Sequence, residues 1–145
     1  MAHSKFFIRS TKVALAALIL GATLLVIPDS LCAQQKVQRI GMVIGIKPDR
    51  ISAYKALHAE SNPGVRDLLN KYHMHNFSIF IHQLDNGQFY LFGYYEYTGH
   101  DYVADMQKLA DEPRNKEWLS KTSILQIPLP GETSWANMEE VYHNP

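Results

Sequence analysis

Residues 76–97 read NFSIFIHQLDNGQFYLFGYYEY, and this stretch decides the fold. From Asn76 to Leu84 the residues alternate, with Phe77, Ile79 and Ile81 on one side, which is the two-residue period of a strand. Asp85-Asn86-Gly87 is the strongest turn signal in the chain, of the kind that closes a hairpin. Gln88 to Tyr97 is then the return strand, dense in aromatic residues. His82 alternates with Ile81 and so falls on the opposite face.

Outward from the hairpin, each side shows a strand and a helix. Upstream, Arg39 to Lys47 (RIGMVIGIK) places Ile40, Met42, Ile44 and Ile46 on one face. Gly41, Val43 and Gly45 take the other, which marks a narrow or closely approached face. Pro48 ends that strand, and Asp49 is expected to cap the following helix. Ile51, Tyr54, Leu57 and His58 recur at helical spacing until Asn62-Pro63-Gly64 breaks the run. Val65, Leu68, Leu69 and Tyr72 continue the period to about Lys71. Downstream, helical spacing runs from Tyr102 through Leu109 and from Lys116 through Leu125. Pro128 and Pro130 end it, Gly131 to Asn137 reads as a loop, and Met138 to His143 is expected to close as a short strand.

The order βαββαβ predicts an α+β, ferredoxin-like domain: a four-stranded antiparallel sheet with helices on one face. The other face carries many aromatics and needs cover. A second copy is the simplest cover, so a homodimer is expected.

The 145 residues are 46% hydrophobic and 19% charged, with 14 Lys+Arg against 14 Asp+Glu. That balance excludes a disordered polyelectrolyte and a dedicated nucleic-acid binder. Residues 1–33 stand apart. Lys5, Arg9 and Lys12 precede an uncharged run from Val13 to Ile27, ended by Pro28 and Asp29. A basic start, a short apolar run and Ala33 before Gln34 read as a secretory signal peptide, with an uncleaved anchor as the alternative. The expectation is an exported protein, periplasmic or secreted, with a single domain over residues 34–145 and no membrane association after cleavage. Cleavage would remove Cys32, the one cysteine, and with it any disulfide or thiol chemistry.

Phosphate-cradling glycine loops, Gly-x-Ser-x-Gly and Cys-x-x-Cys are absent from the sequence. His73-x-His75 is a close histidine pair without a nearby third ligand, and reads as a surface feature rather than a metal site. The informative pair is Tyr54 and His58, four residues apart and therefore on one helix face. Histidine gives and takes protons near neutral pH, and a neighbouring tyrosine can hold a substrate hydroxyl. Spacing alone favours a core tyrosine beside a boundary histidine. Trp118 on the later helix is open to the same two readings.

KPDRISAYKALH (47–58), Asn62-Pro63, HNFSIFI (75–81), YYEY (94–97), EWL (117–119) and MEEVYHNP (138–145) together resemble the L-rhamnose mutarotase family, from about Val37 to Pro145. The resemblance implies a dimeric ferredoxin-like α/β barrel that interconverts the α and β anomers of rhamnose without a cofactor or metal. It implies His58 as the catalytic residue and Tyr54, Phe77 and Trp118 as sugar contacts. Three positions depart from the family's pattern. Phe77 stands for a tyrosine, Glu117-Trp118 for a tryptophan pair, and Asn62-Pro63-Gly64 for Trp-Pro-Glu. A non-catalytic exported sugar-binding module, or a cofactor-free monooxygenase of the same architecture, remains compatible with the fold.

Overall fold

The computed structural model describes residues 37–144. The signal-peptide reading concerns residues outside that range. Five strands and four helices follow in chain order: β1 (Gln38–Ile46), α1 (Ile51–Leu57), α2 (Arg66–Lys71), β2 (Met74–Gln83), β3 (Phe89–Tyr97), α3 (Tyr102–Asp111), α4 (Pro113–Thr122), β4 (Gln126–Ile127) and β5 (Ala136–Met138). The sheet order is β2-β3-β1-β4, all antiparallel, with β5 also on β1. This is the ferredoxin-like arrangement that the alternating patterns predict.

The hairpin closes as its residues require. The Gly87 amide donates to the Leu84 carbonyl (2.8 Å) and the Leu84 amide to the Gln88 carbonyl (2.9 Å). The Asn86 side chain accepts from the Gln88 amide (3.0 Å). β2 starts at Met74, two residues before the alternating pattern suggests, because a bulge lies between His75 and Ser78. Asn76 sits in this bulge with φ +51°, a left-handed conformation that asparagine tolerates better than most residues. Its amide donates to Glu96 on the neighbouring strand (2.7 Å). The extra residue resets the alternation, so Phe77, Ile79 and Ile81 share the inward face.

The core lies on that face in two clusters. Ile40, Val65, Leu68, Tyr72, Met74, Tyr95, Tyr97 and Leu109 form one, and Ile44, Ile46, Tyr54, Leu91 and Leu125 the other. The outward face is left to Val43, Phe80, Tyr90, Phe92 and Tyr94, with Phe80 64% exposed. His82 is outward too, as the alternation requires.

Three local expectations are corrected. Asp49 caps no helix amide: the chain enters α1 through a 3-10 turn, Pro48–Arg50, and the Asp49 carboxylate pairs with Arg50 (3.1 Å). α4 begins at Pro113 rather than Lys116, since proline at the first helical position gives up an amide that has no partner there anyway. It ends at Thr122, and a 3-10 turn covers Ser123–Leu125. Finally, residues 138–143 do not form the closing strand. Two short strands, β4 and β5, pair with β1 instead, separated by Pro128 and Pro130, which cannot donate to a ladder. The glycines on β1's outward face admit them: a Cβ on Gly45 would lie 2.8 Å from the Ile127 carbonyl oxygen, and one on Gly41 would lie 3.2 Å from Met138 Cε.

Candidate active site

Between the inward sheet face and the helices lies a cleft of about 830 Å³, lined by residues of both core clusters. Tyr54, His58, Phe77 and Trp118 all line it. Residues from α1, β2 and α4, up to 64 positions apart in sequence, therefore meet around one space.

The geometry around His58 is specific. Its ring stacks on Tyr54 one helical turn earlier (centroids 4.2 Å apart, planes 28° apart) and meets the edge of Trp118 (5.1 Å, 72°). Nδ1 lies 2.9 Å from the Tyr54 carbonyl oxygen. A carbonyl only accepts, so in the neutral ring Nδ1 carries the proton and Nε2 is left with a free lone pair. Nε2 has no hydrogen-bond partner among the described residues. Burial holds the imidazole pKa below its ordinary value; the Tyr54 carbonyl pulls the other way, and the nearby Arg66 charge adds to the lowering. His58 is thereby kept as a neutral base at neutral pH.

Arg66 also fixes the backbone that carries His58. Its guanidinium donates to the carbonyls of Asn62 (2.7 Å), His58 (3.1 Å) and Ala59 (3.1 Å). The Ala59 carbonyl also accepts from the Asn62 amide (3.0 Å), so Arg66, the first residue of α2, ties down the turn that follows α1. The Tyr54 phenol is pushed up to about 12 by burial, against a smaller opposing pull from Gln126, so it stays a neutral hydroxyl.

Phe77 packs on Tyr95 (5.1 Å) and presents hydrocarbon to the cleft. Trp118 packs over Gly64, whose φ is +54° and where a Cβ would lie 3.2 Å from the indole ring. The side chain of Asn62 accepts from the Gly64 amide (3.1 Å), and Arg114 donates to the Gly64 carbonyl (3.0 Å) and to both oxygens of Asp67. The Asn62-Pro63-Gly64 turn is thus built to seat one tryptophan. Gly64→Ala should cost about 2 kcal/mol, combining the left-handed backbone penalty with displacement of Trp118. Chemical denaturation reads the loss directly.

Glu117 does not reach the cleft: it is exposed and pairs with Lys121 (2.6 Å) on the solvent side of α4. A second indole comes instead from Trp135, in the loop before β5. It packs on the Ile44–Leu91 cluster, and a Cβ on Gly93 would lie 3.3 Å from its ring. Sequence reasoning passes over Trp135, which sits in an aperiodic loop; the glycine in the middle of β3 is the one signal that something large lies across from it. His75 lines the cleft as well, whereas His73 is half-exposed, 4.0 Å from Asp105.

An apolar cleft with two indoles, one phenyl ring and a neutral imidazole can bind the C–H faces of a small molecule and move protons at its polar edge. The L-rhamnose mutarotase family model matches residues 39–144. An L-rhamnose mutarotase from Formosa agariphila has a similar structure, at 20% identity and TM-score 0.55, over 74% of this chain and 99% of that one. Tetracenomycin F2 cyclase from Streptomyces glaucescens, a type-II polyketide cyclase, is similar at 14% identity and TM-score 0.54, with 74% and 99% covered. These two likenesses speak to the fold. No curated protein matches the sequence. The family match spans nearly all the described residues, and the chain belongs to the L-rhamnose mutarotase family.

Proposed function

We propose that this protein interconverts the α and β anomers of L-rhamnose or a related pyranose, with His58 as the proton shuttle. The observation that carries the reading is His58 itself, a neutral imidazole with a free Nε2 in an apolar cleft with ample room for a monosaccharide. Nε2 takes the proton of the anomeric hydroxyl as the bond from C1 to the ring oxygen breaks, and the imidazolium returns that proton to the ring oxygen. Rotation about C1–C2 and reclosure by the reverse transfers give the other anomer. Only proton transfers are needed, and one positioned imidazole contributes about 10²–10⁴-fold. Tyr54 holds a sugar hydroxyl. Phe77, Trp118 and Trp135 cover the C–H faces and the 6-methyl group.

The working form in this reading is a homodimer joined through the open sheet face, and the N-terminal pattern supports export. Phe80, Phe92, Ile127 and Met138 make that face apolar enough to need cover. Saturation-transfer NMR on L-rhamnose tests the activity, with anomer exchange expected to exceed the rate in buffer alone. Sedimentation of the same sample should give twice the monomer mass. Exchange at the buffer rate would end the catalytic reading, and a monomer would end the dimer.

A further inference from the structure

α4 turns an unexpected face inward. The residues it buries are Asn115 and Thr122, 6% and 4% exposed, rather than leucines. With Trp118 they recur at i, i+3 and i+7, which places them along one stripe, and all three line the cleft. Thr122 is accounted for, since its hydroxyl donates to the Trp118 carbonyl (3.2 Å). The Asn115 carboxamide has no hydrogen-bond partner among the described residues. Yet no side-chain nitrogen or oxygen there is both sealed from solvent and unpartnered. The amide therefore meets whatever fills the cleft.

An amide open to the cleft is satisfied by water when the cleft is empty, and a ligand that displaces that water must replace its hydrogen bonds. A carboxamide offers an acceptor oxygen and a donor NH₂ side by side. That pairing matches two neighbouring hydroxyls on a ring, one giving and one receiving a hydrogen bond. Asn115 lies one helical turn, about 5 Å, along α4 from the tryptophan that meets His58, and both side chains line the same cleft.

Resting on the proposed sugar site, we infer that Asn115 grips a vicinal pair of ring hydroxyls and so sets which pyranose is accepted. The test is a two-way comparison of wild type and Asn115→Leu on L-rhamnose and its 2-, 3- and 4-deoxy analogues, read as anomer exchange by saturation-transfer NMR. On L-rhamnose, Asn115→Leu should raise KM about 10-fold with little change in kcat, as expected for losing two hydrogen bonds. Wild type should lose a similar factor on at least one deoxy analogue, and Asn115→Leu should be indifferent to that same change. Equal losses on every analogue in both proteins would overturn the assignment. Asn115→Ala repeats the comparison in case leucine disturbs packing. If wild type does not speed exchange at all, the catalytic reading fails separately, and the same comparison is made on binding by saturation-transfer difference. In that case binding lost in step supports Asn115, whereas no binding of any of these sugars overturns it.

Discussion

His58→Ala should lower the enzyme's contribution to anomer exchange by about 10²–10⁴-fold, the range for one general acid/base residue. The loss follows from the tautomer that the Tyr54 carbonyl enforces, because Nε2 is the ring's free base. The fold should survive. The ring's packing on Tyr54 and Trp118 is worth about 1 kcal/mol of aromatic contact, and His58 is partly exposed. The pH dependence has a definite sign. Burial depresses the imidazole pKa, so the neutral base persists at neutral pH and activity falls only on acidification below the ordinary histidine range. Stability moves the same way. The unfolded ring binds its proton at a higher pH than the folded one, so this contribution is present above the unfolded pKa and is lost as pH falls through the folded value. A wild-type rate in His58→Ala, or a rate that rises on acidification after buffer subtraction, would remove His58 from the mechanism.

Gly99→Ala should destabilise the domain by about 3 kcal/mol, at the upper end of what overpacking costs. A Cβ there would overlap the Tyr97 phenol, lying 2.5 Å from Cζ and 2.8 Å from Cε2. Tyr97 cannot move aside cheaply. It is 2% exposed, its hydroxyl donates to Asp105 (2.7 Å), and its ring meets the edge of Tyr102 (5.1 Å). Burial first, and then the Asp105 carboxylate, push the phenol up to about 12, as expected of a hydroxyl locked in place. Urea unfolding of the variant measures the effect, and an unchanged midpoint would mean that Tyr97 is looser than its contacts imply. Activity should follow stability here, because Tyr97 does not line the cleft.

The sequence by itself determined what backbone geometry repeats locally. Two-residue alternation marked β1, β2 and β3, Asp85-Asn86-Gly87 marked the hairpin, and four-residue spacing put Tyr54 and His58 on one helix face. The resemblance over the same segments added Phe77 and Trp118, and the fold brings all four to one cleft. The tertiary structure alone decided the rest. Trp135 comes from a loop without period, and Asn115 sits on a helix whose other residues are mostly charged or polar, so neither shows its environment in its neighbours. The placing of β4 and β5 on β1 depends on glycines facing residues 82 and 97 positions away. Periodicity states which residues share a face. What that face meets depends on contacts between distant segments, and a cleft is made by such contacts.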